Sequence, residues 1–282
     1  MSPASTSAPT DETGPGIHLN DSMGAADSTD PLRSGEYARK QLFGRGLIGW
    51  SHARRFQAAR RVVQPYAGAP LLDYGCGDGT FLALVRDLFP RSVGAEIDPA
   101  LVADARRRFG EGDGPRFIHT GELAALPDGG FGVVTCMEVL EHCTADVAEG
   151  VIRELRRLVA ADGVVIVSVP VETGAALLVK TAARAAAGLR GVSGYQDRER
   201  YAPGELARMV FAGAGTRIDR PVYETRFPDG APNRYHGHKG FNWRVLAERL
   251  RRDFHLRDVR FSPLNALGGL LNSQVWMTCA PR

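Results

Sequence analysis

Lysine is nearly missing from this chain of 282 residues: it stands only at Lys40, Lys180 and Lys239, so the 35 basic residues are almost all arginine. Set against 32 acidic residues they leave a formal net charge of +3, well short of the dense cationic surface that sequence-independent nucleic-acid binding needs. Cysteine is also scarce. Cys76, Cys136, Cys143 and Cys279 show no C-x-x-C spacing, and two of them sit inside apolar runs that read as buried strands. A reduced, cytoplasmic protein is expected. No uncharged apolar run reaches the ~20 residues that crossing a bilayer takes, so no transmembrane segment is expected. The opening residues, rich in Ser, Pro, Ala and Thr, lack the basic and then apolar pattern of a secretory leader. What remains is a chain 44% apolar, enough for one large α/β domain with additions.

Residues 1–35 hold hardly one large apolar side chain and are expected to form a disordered tail, dispensable for activity. Over residues 36–66 the apolar positions Tyr37, Leu42, Ile48, Trp50, Phe56 and Val62 recur among arginines, interrupted by Gly44 and Gly46. Two short amphipathic helices are predicted there, the second capped by Ser51. His52 and Arg55 read as a solvated basic face, with a place at the rim of a site as the functional alternative.

The organising stretch is Leu71-Leu72-Asp73-Tyr74-Gly75-Cys76-Gly77-Asp78-Gly79-Thr80, an apolar strand running into a glycine turn that opens a helix. Glycines at such spacing let backbone N–H groups approach a ligand. The pattern lacks the last glycine of the dinucleotide fingerprint G-x-G-x-x-G, and Asp73 at the strand end would repel a pyrophosphate while attracting an ammonium group. Both features argue against a nicotinamide dehydrogenase.

With Asp73 and the glycine turn in view, the stretch resembles motif I of the class I S-adenosylmethionine-dependent methyltransferases. The resemblance continues in order through residues 71–170. A second strand, residues 92–97, ends in Glu96, 19 residues after Gly77, where a doubly wound sheet places an acid on ribose hydroxyls. A short third strand, residues 116–119, leads to a turn in which the family holds adenine, with Glu122 and Leu123 in the corresponding places. A buried fourth strand, residues 131–136, runs into Met137-Glu138-Val139-Leu140-Glu141-His142. A helix over 146–159, a tight turn at Asp162-Gly163 and a fifth strand over 164–169 follow. The resemblance implies S-adenosylmethionine as cofactor, bound by Asp73, Gly75, Cys76, Gly77, Glu96, Ile97, Glu122, Leu123, Met137 and Glu138.

Beyond Pro170 an alanine-rich helix (residues 174–189), a polar stretch around 194–201, a helix near 205–211 and a long loop to Arg234 are read as a cap inserted over residues 171–236 of a domain spanning 67–282. A helix over 243–252 and strands over 254–261 and 273–279 close the fold, with Gly268, Gly269 and Asn272 making the last turn. The expected architecture is a doubly wound, seven-stranded Rossmann-like sheet of order 3-2-1-4-5-7-6 with strand 7 antiparallel.

Methyl transfer is an in-line displacement that needs alignment and, at a hydroxyl, a base. His142 is the first candidate base and His238 the second, expected to face the acceptor from opposite sides. Glu138-x-x-Glu141-His142 with the distant His238 is also similar to the metal-binding pattern of the ubiquinone-pathway O-methyltransferases and the small-RNA 2′-O-methyltransferases. That similarity implies Glu138, Glu141, His142 and His238 as ligands if a divalent metal is used, although a metal is not the favoured reading. The favoured function is methyl transfer to a small-molecule acceptor at a hydroxyl oxygen. An RNA 2′-O-methyltransferase, an N- or C-methyltransferase of a small metabolite and a non-catalytic S-adenosylmethionine-binding protein are the alternatives.

Overall fold

A computed structural model describes residues 34–35, 46–110, 112, 114–189 and 200–282. In chain order the elements are α1 (Gly46–Val63), β1 (Leu71–Tyr74), α2 (Thr80–Val85), β2 (Ser92–Glu96), α3 (Pro99–Phe109), β3 (Arg116–His119), β4 (Phe131–Met137), α4 (Ala145–Leu158) and β5 (Val159–Pro170). After them come α5 (Gly174–Leu189), α6 (Pro203–Val210), β6 (Val222–Arg226), β7 (Pro232–His236), α7 (Trp243–Asp253), β8 (Phe254–Ser262), α8 (Gly268–Leu271) and β9 (Gln274–Pro281). The main sheet has seven strands in the order β3-β2-β1-β4-β5-β9-β8. The strands from β3 to β5 run parallel, and β9 lies antiparallel between β5 and β8. This is the expected order, with β9 and β8 as the seventh and sixth strands of the sheet.

Alternation along the central strands divides the core into two layers, because successive strand side chains point to opposite faces. Leu71, Val133, Val164 and Ile166 join Phe56, Ala59 and Val63 of α1 and Phe81 and Leu82 of α2. Leu72, Val134, Val165 and Val167 join Ile152 and Leu155 of α4 and Leu246 and Leu250 of α7. Burial on both faces is why β1, β4 and β5 are near-continuous apolar runs.

Several local expectations change. Ser51 lies within helix α1 and not at its start, since the Ala- and Arg-rich run carries the helix through it. The residues before Gly46 where the first of the two expected helices would lie, most of the tail and most of the polar stretch 194–201 are outside the described residues. Asp162-Gly163, expected as a turn, falls within β5 as an irregularity: Phe131 pairs with Val159, whereas Val133 pairs with Val164. The extra residues bulge there, and Gly163 lies so close to Gly132 that a Cβ would come 2.8 Å from the Gly132 carbonyl oxygen. The expected loop up to Arg234 contains an antiparallel hairpin, β6 with β7, stacked by Tyr223 on Tyr235 at 5.7 Å and turned at Asp229-Gly230. Pro221 and Pro232 read as loop residues in the sequence, yet proline fits the ends of edge strands. Among the described residues no helix is long and apolar enough to cross a membrane.

Candidate active site

The site grows from the carboxyl ends of β1 and β4, which lie side by side with Asp73 opposite Thr135 and Tyr74 opposite Cys136. At Gly75 the chain leaves β1 with φ +77°, and a Cβ there would strike Val139 Cγ2 at 2.3 Å, so only glycine lets the two strand ends approach. Asp78 then ends the turn by accepting from Thr80 N at 3.1 Å and Thr80 Oγ1 at 2.6 Å, which starts α2. Helix α1 covers the turn from above. Its Arg60 makes a two-pronged pair with Asp87, 2.7 and 2.6 Å, and donates to the Leu84 carbonyl, 2.8 Å, while Phe56 and Ala59 are buried beneath. Between α1 and the strand ends lies a cavity of about 800 Å³ bordered by Asp73, Gly75, Cys76, Gly77, Met137 and Glu138 among others.

Asp73 is 2% exposed and accepts a hydrogen bond of 2.7 Å from Thr135 Oγ1. Burial pushes its carboxyl up to about 7, the Thr135 bond opposing and the nearby Glu96 charge adding. A cation placed beside it would restore its charged form. Burial likewise pushes the Cys76 thiol well up, so it borders the cavity as a neutral group.

Glu96 reaches back under the turn: one carboxylate oxygen accepts from Gly77 N at 2.8 Å, the other from Ile97 N at 2.8 Å and Asp98 N at 3.1 Å. Its placement at the end of β2 follows the sequence expectation, and it also braces the glycine turn. Glu96, Ile97, Glu122 and Leu123 do not border the cavity. Glu122 caps the turn after β3 by accepting from His119 N at 2.9 Å and pairs with Arg106 at 3.3 Å; the backbone donor first, and then Arg106, hold its carboxyl below the usual range. Arg157 pins that turn by donating to the Leu123 and Leu126 carbonyls, 2.9 Å each.

At the end of β4, Glu138 has φ +57°, uncommon for a residue with a side chain. It lies between Arg55 Nη1, 3.2 Å from one oxygen, and Gln274 Nε2, 2.9 Å from the other, with Gln274 also reaching Ser168 Oγ at 3.1 Å. Arg55 therefore faces the cavity, the alternative that the sequence left open. The burial of the His52 side chain lies outside the description.

The four residues expected as a metal set divide. Glu138 belongs to the cavity, whereas Glu141, His142 and His238 bring one ligand atom each within 4.8 Å of one another. Glu141 is fully buried, and neither of its carboxylate oxygens has a hydrogen-bond partner. Burial, then the Glu138 charge, raise its carboxyl well above the usual range, with Arg55 and Arg220 opposing. The His142 Nδ1 lies 2.8 Å from the His236 carbonyl, which can only accept, so Nδ1 carries the proton and Nε2, 3.8 Å from Glu141, keeps the lone pair. His142 and His238 do not oppose each other across a gap: their rings stand 5.1 Å apart, tilted by 37°, too close to admit an acceptor, and neither borders the cavity. The β6–β7 hairpin and its flanking residues enforce this pairing, because His236 N donates to the His142 carbonyl, 2.9 Å, and Arg220 donates to the carbonyls of Glu141 and Gly237.

Gln274 and Ser168 at the cavity, and Glu172 with Lys180 beside His238, were not anticipated. Ser168 and Glu172 lie at the carboxyl end of β5, the edge where such sheets bind ligands, and that rule would have found them. Gln274 lies on the antiparallel strand, to which the rule does not apply.

A family model described as "Methyltransferase domain" matches residues 50–202. Over 113 residues the chain is 36% identical to a probable S-adenosylmethionine-dependent methyltransferase of Mycolicibacterium smegmatis, a match covering 39% of this chain and 42% of that one. It is 35% identical over 150 residues to a ubiquinone biosynthesis O-methyltransferase of Xanthomonas oryzae pv. oryzae, covering 51% of this chain and 61% of the relative. The chain thus matches less than two thirds of the length of these relatives. In fold it is similar to a crystal structure of a protein from Pyrococcus horikoshii OT3, with a TM-score of 0.53 at 16% identity, over 88% of this chain and 99% of the other.

Proposed function

The chain belongs to the methyltransferase domain family, and we propose on that footing that it transfers the methyl group of S-adenosylmethionine to a small-molecule acceptor at a hydroxyl oxygen. Asp73 carries the cofactor assignment: a buried carboxylate at the floor of a large cavity, with its carboxyl raised to about 7, is stabilised by a bound cation, and the cofactor's methionine end offers an ammonium. Arg55, on the same cavity, suits the carboxylate of that zwitterion. A Cβ added at Gly77 would meet nothing within 4 Å, so its backbone stands open for a ligand to lie against, and Glu96 behind it suits the ribose hydroxyls. Glu122 and Leu123, expected at the adenine, lie on the neighbouring turn outside the cavity, with the Glu122 carboxylate held by His119 N and Arg106.

When bound, the cofactor supplies a methyl group on a sulfonium. The residues align the acceptor oxygen with the S–CH3 bond; the O–CH3 bond forms as that bond breaks, the sulfide leaves neutral as S-adenosylhomocysteine, and the hydroxyl proton passes to a base. The Nε2 of His142 suits this role because its tautomer is fixed by the His236 carbonyl. The two unpartnered oxygens of Glu141 support a second role for the same cluster. Glu141, His142 and His238 would hold a divalent ion, which supplies Lewis acidity toward a hydroxyl.

Incubating the protein with methyl-labelled S-adenosylmethionine and a cell extract tests the proposal. Label in a small organic fraction, retained in alkali as an ether is, agrees with it. Label in RNA points to a 2′-O-methyltransferase, and no labelled product contradicts the proposal. Repeating the assay with chelator separates the two roles of the histidine cluster: loss of activity restored by a divalent ion selects the metal, and no effect selects the base.

A further inference from the structure

We propose that Arg244, held in place by Thr173 and Trp243, anchors an anionic group, a carboxylate or a phosphate, carried by the small-molecule acceptor. This deepens the proposed function and rests on that reading's acceptor, beside the histidine cluster. Arg244 stands in the first turn of α7, and its Nη1 donates to Thr173 Oγ1 at 3.0 Å. Thr173, three residues past the end of β5, is 1% exposed, so the guanidinium tip reaches buried ground at the edge where such sheets bind ligands. The guanidinium also lies over the Trp243 ring, 4.7 Å from its centroid, and that ring meets Phe261 edge-on at 5.6 Å. A flat cation stacked on one side and bonded through one nitrogen is fixed in direction, with Nε and Nη2 left to donate.

What Arg244 lacks is an acid. Arg60, Arg157 and Arg249 each face a carboxylate, whereas among the described residues none pairs with Arg244, and burial alone lowers its guanidinium below the ordinary value. A partly buried charge without a counter-charge costs free energy that a bound anion would offset. Two routes place this cation beside the histidine cluster. Along the chain, Phe241 N donates to the His238 carbonyl at 3.1 Å, and the turn runs on through Asn242, the cap of α7, to Arg244. Across the fold, Thr173 follows Glu172, whose carboxylate is matched by Lys180 Nζ at 2.8 Å. Of these three charges, that of Arg244 is the one left over. The guanidinium fork suits the paired oxygens of a carboxylate or a phosphate, so the site selects an acidic acceptor over a neutral one.

Two measurements on the full-length protein test this. With methyl-labelled S-adenosylmethionine and cell extract, the labelled product should be retained by an anion exchanger at pH 8. Arg244→Gln should slow labelling about tenfold or more at limiting extract and recover as extract is concentrated, with S-adenosylmethionine affinity changed less than about twofold. Arg244→Lys, which keeps the charge without the fork, should fall between the two. A product that passes through the exchanger, label in RNA, or unchanged labelling by Arg244→Gln overturns the proposal. The second measurement follows the Arg244 Nε–H signal, assigned by its loss in Arg244→Lys, during titration of the unaltered protein with benzoate, inorganic phosphate and, as neutral control, benzamide. A shift with benzoate supports a carboxylate on the acceptor and a shift with phosphate a phosphorylated one. No shift with either anion, or an equal shift with benzamide, overturns the proposal. This spectral result stands even if no methyl transfer is found, which would instead overturn the proposed function.

Discussion

Asp73 and Glu96 both lie at strand ends, but their surroundings give them different consequences. The carboxyl of Asp73 is raised from near 4 to about 7. Between these values the folded protein holds a proton that the unfolded chain has lost, so the ligand-free protein loses stability as pH rises through that window. Thermal melts of Asp73→Asn against the unaltered protein at pH 5 and pH 8 should show the variant gaining relative stability at the higher pH. A difference independent of pH would refute the burial account. Glu96, which accepts from three backbone donors, has a double role. Glu96→Ala should lower the melting temperature without ligand and weaken S-adenosylmethionine binding by roughly one to two powers of ten, since charged hydrogen bonds contribute about 1.5 to 3 kcal/mol each. Unchanged affinity would remove Glu96 from the ribose. The sequence revealed both acids because the apolar run before each marks a strand end, whereas it concealed the division of Glu138 from Glu141. A three-residue spacing says nothing of the positive φ at Glu138 that turns its side chain to Arg55.

Among elements, the glycine turn and the end of β4 are one unit. Gly75→Ala meets both a left-handed backbone and Val139 Cγ2 at 2.3 Å, so it should cost about 1 to 3 kcal/mol of stability and most of the cofactor affinity. Adding Val139→Ala relieves only the contact, and chemical denaturation of the single and double variants should show partial recovery. No recovery would mean that backbone strain accounts for the whole loss. The strands from β1 to β5 were readable because a parallel strand covered on both faces is an apolar run between turn residues. The β6–β7 hairpin was not, because it depends on tertiary contacts: His236 is held by the His142 backbone, and beyond it Gly240, φ +75°, packs against Ile218. For the same reason the adjacency of His142 and His238 could be guessed in outline but not in geometry.

For the molecule as a whole, two core layers fix one ligand-binding edge, and the ends of the chain contribute to it unequally. Gln274 and Trp276 of β9 border the cavity, and so does Ser34, while Gly35 lies where a Cβ would come 2.8 Å from Asp78 Oδ2. The tail expected to be dispensable therefore ends in two residues that touch the site. Removing residues 1–33 should leave affinity and melting temperature unchanged, whereas removing 1–35 should weaken cofactor binding several-fold; equal behaviour of the two truncations would exclude Ser34 and Gly35 from the site. The measurement closest to the central claim is calorimetric titration of the full chain with S-adenosylmethionine at pH 6 and pH 8, beside Asp73→Asn. With Asp73 near 7, the unaltered protein should bind about tenfold more tightly at pH 8 than at pH 6 and release a proton on binding at the lower pH. Asp73→Asn should bind at least about tenfold more weakly at pH 8 and lose that pH dependence. Equal affinity in the variant, or no binding by the unaltered protein, would contradict the assignment of this cavity to the cofactor.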